Sequence, residues 1–262
     1  MINRDKNLFL MPKHNVLAVT SGVGSMGKTW LAVTLAHAVN SMKNNVLLFD
    51  ADNGLSNTVF QTGISLQGQL KQVLDGEKTL NQIITSAGRK KFDIIADIPG
   101  NNILKGAPVG RLQILREELS LLAQNYDYTF TDIPADEKLF SHLLPTGADL
   151  ILVCTNEPSN LVSAYNFLQK IPDSVKYKSL RIIVNYANSY EEGLQTYNTL
   201  RHACEEYLKS TPPLLGVVRR DTRVRNAINN KALLLNRYPN SEATQDIMQI
   251  ATRIVSKEKT DD

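Results

Sequence analysis

Long apolar runs, patterned cysteines and clustered histidines are missing from this 262-residue chain. No hydrophobic stretch approaches the roughly 18 residues that a membrane-crossing helix needs, so no bilayer span is expected. Cysteine occurs only at Cys154 and Cys204, without the spacing of a disulfide framework. That usage fits a reducing compartment, and Cys154, inside an apolar run, reads as core filler. His14, His37, His142 and His202 are scattered and show no metal-ligand spacing. No Ser/His/Asp or zinc pattern emerges. Ten prolines and fourteen glycines are too few for a fibrous or disordered chain. A formal charge of +3 does not argue for nucleic acid, although Arg219, Arg220, Arg223 and Arg225 cluster locally. The bland reading of that cluster is a solvated helix start. Residues 1–14 place Asn3, Arg4, Asp5, Lys6 and Asn7 before a short LFLM, which is not a signal-peptide core. A cytoplasmic location is expected.

One stretch organises the rest: Gly22-Val23-Gly24-Ser25-Met26-Gly27-Lys28-Thr29. Residues 15–20 (NVLAVT) before it read as a strand. After it, Leu31, Thr34, Leu35, Ala38 and Val39 fall on one helical face. Strand, glycine loop and helix with G-x-x-x-x-G-K-[ST] make the P-loop pattern. Its backbone N–H groups and the helix N-terminus form an anion cradle. Lys28 would reach the β- and γ-phosphates, and the Thr29 hydroxyl would hold Mg²⁺. Gly22-x-Gly24-x-x-Gly27 also satisfies the dinucleotide fingerprint, with Asp50 ending the next strand. Lys28-Thr29 decides against that reading, because a dinucleotide site has no use for the pair. A nicotinamide-dependent oxidoreductase survives only on the glycine overlap.

Further strands are predicted over residues 46–49, 92–98, 126–131, 149–155, 179–184 and 214–218. Helical patterns cover residues 67–74, 80–84, 112–122, 190–208, 224–229 and 241–256, and another helix opens at Asn156-Glu157-Pro158-Ser159. Asn53-Gly54 marks a turn, and residues 101–110 read as a loop. The alternation predicts an α/β fold, a doubly wound and mostly parallel sheet flanked by helices. The expected division is a loose leader at 1–14, one domain at 15–256 and a charged tail at 257–262.

Ligands in such sheets sit at the carboxyl ends of strands. Asp132 closes an apolar strand where P-loop enzymes place a carboxylate of the Mg²⁺ shell. Asp50 and Asp52 end another strand on the same side of an extended segment. One could anchor the loop or the Mg²⁺ shell, and the other could orient the attacking water. Asn185, at its strand end, offers both a donor and an acceptor to an adenine edge.

These residues together resemble the MinD/ParA group of deviant Walker A P-loop ATPases, and within it the flagellar-number-regulator branch (FlhG, also called FleN). The likeness runs from about residue 16 to 255. It rests on GVGSMGKT, VLLFDADNGLSN, YDYTFTDIPA, RIIVNYANS, LGVVRRDTRVRNAI and RYPNSEATQDI. It implies ATP/ADP and Mg²⁺ as cofactors, an ATP-dependent homodimer, and weak hydrolysis of ATP to ADP and phosphate. It also implies action through protein partners, namely a flagellar GTPase, a transcription regulator or a basal-body component. Carried over by position, the residues contacting nucleotide are Gly22, Val23, Gly24, Ser25, Met26, Gly27, Lys28, Thr29, Trp30 and Asn185, with Arg220 and Asp221 framing the base. Lys28, Asp52 and Asp132 take catalytic roles, with Asp52 as the water-orienting residue of switch I. Thr29, Asp50 and Asp132 are the metal set.

The chain departs from the group in three places. Val23 stands where the signature lysine belongs, which removes a cation that reaches the partner's phosphates and predicts slow hydrolysis. No Asp-Gln-Ala segment for the partner GTPase is found near the N-terminus, and the tail lacks an amphipathic membrane helix. The alternatives are a non-catalytic, nucleotide-gated binding module and a positioning protein for another cargo.

Overall fold

The computed structural model describes residues 15–24, 26–52, 58–87, 92–171 and 180–256. The expected leader, the tail, the Asn53-Gly54 turn and Ser25 lie outside the described residues. Among the described residues eight strands form one sheet: β1 (Asn15–Ser21), β2 (Val46–Asp50), β3 (Thr85–Ser86), β4 (Phe92–Ile95), β5 (Tyr128–Asp132), β6 (Asp149–Cys154), β7 (Leu180–Ala187) and β8 (Leu214–Arg219). Their order is β3-β4-β2-β5-β1-β6-β7-β8. Every pairing is parallel except β3 with β4. The chain leaves β1 for β2, later returns to insert β5 between them, and then builds β6 on the other side. The crevice where this winding reverses opens directly above the loop that follows β1.

Each central strand alternates its side chains between two apolar layers, as a sheet covered on both faces must. Leu17, Val19, Leu48, Ile151 and Val153 face α1 (Lys28–Ser41). Beyond the strands, the α1 layer receives Ile247, Ile250 and Ile254 from the C-terminal helix, Glu242–Ser256. Helix α1 is buried nearly all round, from Trp30 through Val39, so its apolar stripe is broader than the single face seen in sequence. Ala18, Leu150, Leu152 and Ile182 face the opposite layer, and Leu47 and Phe49 continue it on the β2 side.

That second layer carries helices that the apolar periodicity missed. Residues 101–110 hold a short α-helix, Ile103–Gly106, before the long helix Val109–Ala123. After β5, Glu137–Leu143 is helical, with Asp136 accepting a hydrogen bond from the Leu139 N–H at its start. Pro158 opens the next helix, Pro158–Lys170, where its missing N–H costs nothing. The strand predicted to run to residue 98 stops at Ile95, because Pro99 and Gly100, with φ of +81°, turn the chain away. The expected helix over 80–84 is a four-residue 3₁₀ turn, Leu80–Ile83. The 190–208 helix ends in a π-helical turn, Cys204–Leu208. Both cysteines are buried and outside any disulfide. No helix among the described residues is long and apolar enough to cross a membrane.

Candidate functional site

The loop after β1 is shaped by two glycines that nothing larger could replace. A Cβ on Gly22 would stand 2.2 Å from the Ser163 carbonyl oxygen of the helix Pro158–Lys170. Gly27 has φ of +79°, and a Cβ there would lie 2.6 Å from Asn185 Nδ2 and 2.8 Å from the Tyr186 hydroxyl. The loop is therefore gripped from two sides before it hands the chain to α1.

The sheet register brings the strand-end acids to the same place. Asp50 and Asp132 are paired on neighbouring β2 and β5, and Val19 of β1 pairs with Asp132 on its other side. Thr29 Oγ1 donates to Asp132 Oδ2 at 2.5 Å. Lys28 Nζ lies 3.1 Å from Asp52 Oδ2. Asp132 Oδ1 is buried without a hydrogen-bond partner. Lys28, Thr29, Asp50, Asp52 and Asp132 thus converge, as the sequence predicts.

Asp50 is held by two backbone groups. Its Oδ1 accepts from the Asp52 N–H at 3.0 Å and its Oδ2 from the Thr58 N–H at 2.8 Å. Each oxygen thus accepts one backbone N–H, from Asp52 and from Thr58, and these bonds support the anchoring role.

Burial sets the electrostatics. It lifts the Asp50 carboxyl to about 6; the Thr58 hydrogen bonds pull it back, and the Asp52 charge adds to the rise. Asp132 is raised well above the usual carboxylate range, first by burial and then by Asp50, against the opposing pull of Lys28. Two acids in a dry crevice at such cost are a signature of functional sites. A divalent cation fits there. The Asp132 oxygen without a partner and the Thr29 hydroxyl are hard oxygen ligands, and among the described residues no cage of three or more acidic, His or Cys side chains exists. Magnesium is held in that way, by few protein oxygens plus phosphate and water.

On the other side of the loop lies a cavity of about 690 Å³, lined by Gly24, Trp30, Asn185, Tyr186, Arg220 and Asp221 among others. Asn185 is 1% exposed; its Nδ2 donates to the Met26 carbonyl at 2.9 Å, and its Oδ1 is buried without a partner. One of its two N–H groups is therefore spent on the loop, and its acceptor has no protein partner. Asp221 caps the helix Thr222–Asn229 through the Arg223 N–H, so its carboxylate frames the cavity as a helix cap. The arginine cluster divides. Arg219 lines the cavity but is tied to Asp246 and Glu242, and Arg223 lies 3.6 Å from Asp221, whereas Arg220 and Arg225 line the cavity without such a pairing among the described residues. Tyr186 was not singled out from the sequence. It holds φ of +59° where β7 and β8 slip register, and no residue-level signal announces that bulge.

Val23, the residue at the signature-lysine position, is 37% exposed. It lines a separate cavity of about 520 Å³ with Phe140, Leu144, Phe167 and Lys170.

The family model for the CobQ/CobB/MinD/ParA nucleotide-binding domain matches residues 17–235. The chain belongs to this family. It is 25% identical over 253 residues to the antiactivator FleN of Pseudomonas aeruginosa, an alignment that covers 96% of this chain and 90% of that protein. It is 28% identical over 249 residues to the flagellum site-determining protein YlxH of Helicobacter pylori, covering 93% of this chain and 83% of the relative. The fold superposes on the septum site-determining protein MinD of Pyrococcus horikoshii, solved with Mg-ADP, with a TM-score of 0.76 at 22% identity. That match covers 92% of this chain and 95% of the MinD chain. The mostly parallel sheet flanked by helices is the architecture of these P-loop ATPases.

Proposed function

We propose that this protein is an ATP-binding, MinD-type regulator of flagellar number or assembly. It would act through ATP-dependent dimerisation and protein partners, with slow hydrolysis of ATP. The observation that carries the nucleotide reading is the convergence of Lys28, Thr29, Asp52 and Asp132 on one glycine loop at the winding reversal of the sheet. Likeness to FleN and YlxH supports the flagellar assignment. In this reading Lys28 neutralises phosphate charge and exchanges its Asp52 partner for the nucleotide. Asp52, released, orients the water. Thr29 and Asp132 hold Mg²⁺, which supplies charge neutralisation at the phosphates. Phosphoryl transfer needs such positioning more than covalent chemistry. Cells lacking the gene should show altered flagellar number, restored by wild type and not by Lys28→Ala. Restoration by Lys28→Ala would remove nucleotide binding from the account.

A second reading, a nucleotide-gated binding module without turnover, is favoured by Val23. An exposed apolar side chain stands where the group carries its lysine, so that cation is absent from the P-loop. The discriminating measurement is turnover at saturating Mg·ATP. Val23→Lys should raise the rate by tenfold or more, in keeping with the worth of a cation supplied to a phosphoryl-transfer transition state. An unchanged rate and unchanged dimerisation would mean that the missing lysine is not what limits hydrolysis.

A further inference from the structure

Asn185 faces two ways. Its Nδ2 donates to the Met26 carbonyl across 159 residues of chain, and its Oδ1 is buried without a partner in the wall of the base cavity. The orientation is forced, because an amide oxygen turned towards a carbonyl oxygen at 2.9 Å would repel it. Tyr186, next in the chain, presents its hydroxyl to the same short piece of loop. A Cβ on Gly27 would meet Asn185 Nδ2 and the Tyr186 oxygen, each closer than 3.0 Å. Tyr186 is held at φ of +59°, a conformation that non-glycine residues adopt at a cost. The bulge between Val184 and Ala187 keeps it there. Two consecutive residues at the end of β7 therefore form the wall behind Met26 and Gly27, one by a hydrogen bond and one by contact.

We infer that Asn185, backed by Tyr186, is a positioning residue for the phosphate loop, in addition to presenting an acceptor to the base. The inference rests on the nucleotide-site reading and deepens it. The Met26 carbonyl held by Asn185 sits two residues before Lys28, so its placement sets the approach of Lys28 and of the loop N–H groups to phosphate. Base and phosphate subsites then share one side chain. A ligand that donates to Oδ1 bears on the amide whose nitrogen grips the loop.

Asn185→Asp separates this from simple base reading. A carboxylate keeps, and strengthens, the acceptor towards the base, so a residue that only reads the base through its oxygen tolerates the change. A positioning residue does not, because the new oxygen faces the Met26 carbonyl and pushes the loop away. Protonating the new acid restores a donor to Met26 and leaves an acceptor for the base. The expected result is Mg·ADP affinity at least about tenfold weaker than wild type at pH 7.5, with the ratio to wild type returning towards one as the pH falls to about 5. Glu157, Tyr186, Arg219, Arg220, Asp221 and Arg225 also line this cavity, and Asp50 and Asp132 titrate nearby. Comparison with wild type at each pH cancels their contribution. Wild-type affinity at pH 7.5 in the Asp variant would overturn the inference and leave the nucleotide site standing. Failure of wild type itself to bind Mg·ADP would overturn the nucleotide reading instead. Asn185→Ala guards against a folding artefact. With its melting temperature within a few degrees of wild type, it should weaken the diphosphate of purine riboside, which lacks the amino group, at least severalfold, and Mg·ADP by that factor or more. Loss confined to ADP would again contradict the positioning role.

Discussion

Asp132 has one carboxylate oxygen on Thr29 and the other buried without a partner, beside Asp50 on the next strand. In the folded chain both acids hold their protons to higher pH than in the unfolded chain. The stability this confers is full below the ordinary carboxylate value and is lost as pH rises through the raised one. For Asp50, lifted from 3.8 to about 6, ionisation at neutral pH costs about 3 kcal/mol. A divalent cation brought with nucleotide should relieve that cost. Mg·ATP is therefore expected to raise the melting temperature more at pH 7.5 than at pH 5.5. Asp132→Asn keeps an acceptor for Thr29 and removes a buried carboxyl whose pKa is raised by burial. It should stabilise the ligand-free protein at pH 7.5 by about 1 kcal/mol, or about 2–4 °C, and by less at pH 5. It should also abolish the magnesium dependence of nucleotide binding. Thermal scans at both pH values check this, and an equal shift at the two would contradict the charge argument. Lys28, Thr29 and the acids were legible in sequence because each sits inside a short motif or at the polar end of an apolar strand. Tyr186 was not, because its role comes from a strand bulge and a contact with a loop far away in the chain.

At the scale of elements, the phosphate loop is a strand-to-helix turn clamped between β7 and the helix Pro158–Lys170. The clamp on the helix side is the contact of Gly22 with the Ser163 carbonyl. Gly22→Ala places a methyl group inside that backbone, so loop or helix must move. The expected outcome is a loss of about 1–3 kcal/mol in stability together with at least tenfold weaker nucleotide binding, read by thermal melting and calorimetry. Gly24, whose added Cβ would meet nothing within 4 Å, is the control and should tolerate alanine in stability. An equal loss in both variants would contradict the clamp. Seven strands were readable because their apolar runs are bounded by Asp, Asn, Pro and Gly, whereas the two-residue β3, Thr85–Ser86, has no such run. Short helices were not readable. Glu137–Leu143 offers only Leu139, Phe140 and Leu143 to the core, too few for a periodicity, and its start is marked by an Asp136 cap that also suits a turn.

For the whole molecule, strand order follows from no local pattern. The alternation of strands and helices gives a doubly wound sheet, but the insertion of β5 between β1 and β2 depends on long-range pairing. That insertion sets Asp132 beside both Asp50 and the strand that leads into the phosphate loop. The site is thus a product of topology, and its central claim is that Lys28 and the acids opposite it bind Mg·ATP. Trp30 follows Thr29 directly, is 5% exposed and lines the base cavity, so its fluorescence reports on the site. Titration of Mg·ATP into wild type and Lys28→Ala, with calorimetry alongside, is the most direct test. Saturable binding in wild type, weakened at least a hundredfold in the variant, is the predicted result. Equal binding by the two proteins, or heat and fluorescence both flat in wild type, would contradict the account.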